Sequence, residues 1–248
     1  MCGKIAQMSN FPDPTIVAGY LPIVIPAFFI VVLVFILVVK AKDRKRAKQV
    51  SEETSQWAAA RGWQYRGIDK QLVNQWDVPV FRSGGKRKAT DIMFGAFASR
   101  RGATYNVMSF QYQYTVSTED NSNTFYLHVV AVQLPSAVPS LALVPEGRGT
   151  RVLRSLGGQD IQFESEAFNR AWRVTADNLP FAHAVIHPQV MELLSVHGPT
   201  AGCYFLRGST LIYYGFGLQT VARVDQQLSH AVDLVDLIPG FVWQDYAL

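Results

Sequence analysis

Residues 108–134, MSFQYQYTVSTEDNSNTFYLHVVAVQL, decide the fold. Met108, Phe110, Tyr112, Tyr114 and Val116 alternate with Ser109, Gln111, Gln113 and Thr115. A period of two puts the apolar set on one side of a strand and the polar set on the other, as in an antiparallel strand with one solvated face. The polar segment Ser117 to Asn123 supplies a hairpin loop, and Phe125 to Leu134 is the more apolar return strand. Asp91 to Phe97 reads as a preceding strand of the same meander.

Downstream, Leu141 to Val144 is a short extended piece between prolines, and Asp160 to Phe163 is extended. Ser165 to Asn169 fits one helical turn, Trp172 to Thr175 a strand and Leu179 to Ile186 a short helix. Pro188 suits the first turn of another helix through Leu194. Arg207-Gly208-Ser209-Thr210 between two apolar runs reads as a hairpin turn. Leu218, Val221, Val224, Leu228, Val232, Val235 and Ile238 step by three or four, which predicts a long helix closed by Pro239. Strands in runs with helices gathered around them define an α+β domain.

Upstream, no residue from Pro14 to Val39 carries a charge. Val17 to Val39 at about 1.5 Å per residue spans roughly 34 Å, enough for a hydrocarbon core. Six cations follow in nine residues, Lys40, Lys42, Arg44, Lys45, Arg46 and Lys48, against Asp43 alone. Positive flanks stay in the cytoplasm. The expectation is a single-pass protein of the cell membrane. It has an outer tail (1–14), a transmembrane helix (15–39), a basic juxtamembrane helix (40–62) and a cytosolic α+β domain (63–248). The basic cluster would contact anionic lipid headgroups. Outside it the chain is almost neutral, which argues against a nucleic-acid partner. The 2 Cys exclude a disulfide scaffold.

The run DIQFESEAFNRAWRVTADNLPFAHAVIHPQVMELL, residues 160–194, resembles a segment of bacterial, actinobacterial-type, single-pass membrane proteins of unknown function. The matching residues are Glu166, Phe168, Asn169, Val174, Asp177, Ala182, Pro188, Met191, Glu192 and Leu194. The resemblance implies a membrane anchor and a mixed α/β cytosolic domain. It implies no reaction and no catalytic residues.

Chemistry has few candidates. Glu164 and Glu166 project to one side if extended, where paired carboxylates can act as acid and base, and with His183 they are the candidate residues of a membrane-anchored hydrolase. His183 and His187 have zinc-like spacing, but Ala184 replaces the glutamate of H-E-x-x-H and Pro188 disfavours a helix at His187, so no metal site is assigned. Ser165 lacks a G-x-S-x-G setting, and Gly84-Gly85 lacks the P-loop pattern. No cofactor is implied. With a core, an anchor and no coherent active site, the expected role is binding of a protein or lipid partner.

Overall fold

The computed structural model describes residues 48–119, 121–146, 160–198 and 202–248, with 33–35, 37–39, 41–42 and 45 before them. The chain divides into two compact units, Met1–Val50 and Ser51–Leu248. The described residues of the first unit are helical.

The second unit opens with helix α1 (51–60). Then come β1 (Gln64–Asp69), a 3-10 turn (Leu72–Gln75), α2 (Pro79–Arg82), β2 (Gly85–Ala98), β3 (Thr104–Ser117) and β4 (Ser122–Pro145). The remainder is α3 (Glu166–Ala171), β5 (Trp172–Ala176), α4 (Leu179–Val185), α5 (Pro188–His197), β6 (Cys203–Phe216), α6 (Val221–Leu237) and α7 (Val242–Asp245). All six strands form one antiparallel sheet in the order β1-β2-β3-β4-β5, with β6 on β4.

The sheet is held by one very long strand. The first half of β4 pairs with β3 from Val107↔Val132 to Ser117↔Ser122. Its second half pairs with β5, and β6 runs along both halves. The register of β4 against β6 shifts between Gln133, Val138 and Leu141. There Leu127, Val129 and Ala131 belong to one core, while farther along Ala142 and Val144 do. The phase of β4 therefore slips by one residue across Pro135–Pro139, where a missing N–H is tolerated at a bulge. Gly208, opposite Val138, makes the matching slip in β6 with φ +55. The hairpin expected at Arg207–Thr210 is thus a bulge within one continuous strand, because both flanking runs pair with the same partner.

Each face of the sheet carries its own core. One joins Val130, Val132, Tyr204, Tyr213 and their neighbours to α1 and α3–α7. The long helix α6 lays Val224, Leu228, Ala231, Val232 and Val235 on this side. The other core joins Phe110, Tyr112, Val129, Phe205 and Tyr214 to Val73, Val78, Val80 and Phe81 of the 3-10 turn and α2. Trp63 closes over β2 where Gly95 has no side chain; a Cβ there would fall inside the indole ring.

Two further expectations are corrected. Among the described residues no helix is long and apolar enough to cross a membrane. Within the apolar run the described residues 33–35 and 37–39 are helical. Residues 15–32 of the expected span lie outside the described residues. The fold class is accordingly a sheet-rich antiparallel domain with several helices, and its described residues contain no transmembrane helix. Single-pass topology, the cell-membrane location and the outside-to-inside orientation are withdrawn with it. The second correction concerns β3. Its polar side is not solvated: Ser109, Gln111 and Thr115 are all buried.

Candidate functional site

The stretch 160–198 folds into a short, heavily capped assembly. Ser165 starts α3 by accepting the Phe168 N–H at 3.2 Å. Asn169, one turn on, reaches back to Phe163, accepting its N–H at 3.0 Å and donating to its carbonyl at 2.7 Å. That double bond to the backbone fixes the 162–165 loop in an extended path beside β5, where Ile161 N–H donates to Val174 O. Asn178 caps α4 through the Phe181 N–H, and Pro180 and Pro188 occupy first turns where no N–H is lost.

Between this loop and the α4–α5 junction runs a groove of about 910 Å³. Phe163, Ile186, Pro188 and Met191 give it an apolar lining. Glu164, Ser165, His183, His187, Glu192 and Ser195 supply polar groups. The Phe163 ring meets His183 edge-on at 5.0 Å and Phe168 at 5.6 Å, so it is held from two sides. His187, at the N-cap of α5, donates from Nε2 to the Leu237 carbonyl at 3.0 Å and ties the groove to the end of α6.

Glu164 and His183 therefore line the same groove. Glu166 does not: it sits on the exposed side of α3, 3.4 Å from Arg170 in an i,i+4 pair. His183 and His187 belong to different elements, and His187 has spent Nε2 on a carbonyl. Asp160 faces Arg173 at 3.7 Å. Among the described residues no group of three His, Cys, Asp or Glu could hold a metal. Of the basic cluster, Lys42, Lys45 and Lys48 are helical and exposed, while Lys40, Arg44 and Arg46 lie outside the described residues.

A buried polar cluster escaped the sequence. His128 is fully buried, with Nε2 2.7 Å from Ser109 Oγ and Nδ1 without a partner among the described residues. Burial, reinforced by the Arg223 charge, pushes its pKa down to about 3, so it is neutral. Beside it Gln111 donates to Leu127 O at 2.8 Å and accepts the Gln219 N–H at 2.6 Å; Gln219 in turn donates to Asp91 O. Tyr65 donates to Asp91 Oδ1 at 2.7 Å, and burial raises its pKa. Ser109 and His128 have the spacing of a nucleophile and base, but neither lines the groove and both are shut from water, so the pair is structural. A period-two pattern could not reveal this, since carboxamides and hydroxyls satisfied by the backbone are as stable inside as out.

What the fold and groove define is an antiparallel sheet domain with helices packed over one face and a sizeable, partly apolar groove among them. The crystal structure of the mycobacterial trehalose monomycolate transport factor A, TtfA, is similar: the TM-score is 0.52 at 15% identity, over 77% of this chain and 96% of that one. At that identity the likeness is one of fold. No protein-family model matches the chain, and no curated protein matches it.

Proposed function

We propose that the Ser51–Leu248 unit is a binding domain for a lipid or protein partner, and that the groove between residues 162–165 and the α4–α5 junction receives an apolar chain of a lipid. The observation that carries this is the groove itself: about 910 Å³, with Phe163, Ile186, Pro188 and Met191 along it. That volume is in the range of small-molecule sites, which are lined mainly by apolar side chains with a few placed polar groups. The fold neighbour's name, a transport factor for trehalose monomycolate, a glycolipid, supports a lipid over other partners. Kinship with the bacterial family resembled at 160–194 is part of the proposal, since that same stretch builds the groove. The basic run Lys40–Lys48 is the part of the chain suited to anionic headgroups.

The test is equilibrium binding of a pyrene-labelled fatty acid to the full chain and to Met191→Glu, a half-buried position on α5 that tolerates a polar side chain. Saturable binding weakened at least tenfold in the variant, with an unchanged circular dichroism spectrum, is the expected result. No saturable binding to the unaltered chain overturns the lipid reading. A hydrolase is the second reading, carried by Glu164 and His183 sharing the groove. Alanine at Glu164, Glu166 and His183 separates the two: loss of a measured ester or glycoside hydrolysis without loss of folding favours the enzyme.

A further inference from the structure

The face of the sheet opposite α6 is roofed only in part. The 3-10 turn and α2 cover the Phe110–Tyr112 region, and beside them a depression of about 530 Å³ lies open on the strands. Its floor follows the strand register: Gln64, Phe94, Met108 and Ala131 are successive cross-strand partners on β1, β2, β3 and β4. Two residues along, on the same side, come the pairs Ala96↔Asn106 and Gln133↔Thr210. The first row is apolar except for Gln64 and the second polar except for Ala96, and the two run parallel, about 7 Å apart by strand geometry. Trp76 forms the wall, its ring stacked on buried Phe110 at 6.0 Å and 7°.

Arg66 apart, the polar groups around this floor are of one kind. Gln64, Gln75, Asn106, Gln133 and Thr210 are all uncharged, and each amide offers a donor and an acceptor side by side. None of these side chains spends a hydrogen bond within the protein among the described residues. No carboxylate or ammonium lines the depression. Arg66 does, but its charge is already matched by Asp69 at 3.1 Å, and its guanidinium lies 5.5 Å from the Phe94 ring centre. An anion would find no unpaired cation here, and a hydrocarbon chain would strand five polar groups. The ligand that fits both rows has an apolar face and a neutral hydroxyl rim, which is the constitution of a pyranose ring: its axial C–H face packs on aromatic and methylene surface, and its equatorial hydroxyls pair with carboxamides.

We propose that this depression is a binding site for a neutral saccharide, with Trp76, Phe94 and Met108 as the apolar surface and Asn106, Gln133 and Thr210 as the hydroxyl-pairing groups. With no acid–base pair at hand the site binds the sugar and does not cleave it. The site lies apart from the lipid groove in both elements and lining, so it stands independently of the function proposed above.

The test is saturation-transfer NMR and calorimetry on the full chain with maltose, cellobiose and trehalose, and with glucose 6-phosphate as the charged competitor. The expected result is saturable binding of at least one neutral disaccharide. It falls at least tenfold in Asn106→Ala/Gln133→Ala, two exposed positions whose loss leaves the fold intact, and is unchanged in Met191→Glu. No binding by any neutral sugar overturns the proposal. So does binding that the double variant leaves unaltered, or a preference for the phosphorylated sugar.

Discussion

Ser109, Gln111 and His128 lie out of water on the sheet face that α6 covers, while Phe94 and Met108 stand half-exposed on the opposite face. By side-chain polarity alone the assignment would be reversed. The covered face keeps its polar groups because they answer one another: Gln111 to Leu127 and Gln219, Ser109 to His128, Tyr65 to Asp91. The other face keeps its apolar row half-exposed because α2 and the 3-10 turn are too short to roof it. Roofing is set by where the helices return, and polarity alternation on a strand records only which residues share a side.

The contrast breaks most severely at the helical roof. Leu228→Ala removes a fully buried side chain from α6 and should cost about 2–5 kcal/mol in urea unfolding. Phe94→Ala, on the half-open face, should cost clearly less. Equal losses would mean both faces are equally packed.

Acid acts selectively on the covered face. His128 is held neutral with a folded pKa of about 3, below its ordinary 6.5, so the unfolded chain takes up its proton first. Its contribution is fully present above pH 6.5 and is lost as pH falls toward 3, at about 1.4 kcal/mol per pH unit within that window. Ser109→Ala/His128→Leu removes both partners together and should flatten this part of the profile. A double variant with the parental slope would place the acid sensitivity elsewhere.

Gly95→Ala drives a methyl group into Trp63 and should destabilise by about 1–3 kcal/mol, with a red-shifted or broadened tryptophan emission as the buried indole is displaced toward solvent. At the small end, Asn106→Ala/Gln133→Ala should change stability by no more than about 0.5 kcal/mol, since these exposed amides bear on no packed contact.

Much of the scaffold was legible where the pattern was local. The alternation at Met108–Val116 falls inside β3, and the three-and-four spacing from Val221 to Val235 falls inside α6. Ser165 and Pro188 mark helix starts in the chain as they do in the structure, and the short helix expected from Leu179 is present. Gly208 misled, because a glycine between two apolar runs marks a hairpin and a bulge alike, and only the shared partner β4 distinguishes them. The site was half legible. Glu164 and His183 do meet in one groove, yet helix spacing suggested a partnership of His183 with His187 that the break at Ile186 dissolves. The sheet depression was not legible at all. Its lining comes from five strands and the 3-10 turn, and their register is a tertiary property that no single stretch encodes.

The lipid groove is tested most directly by photolabelling the full chain with a diazirine fatty acid and mapping adducts by peptide mass spectrometry. Adducts concentrated within residues 160–198, and competed away by unlabelled fatty acid, are the predicted result. Adducts spread evenly over the surface, or centred on β2 and β3, would contradict it.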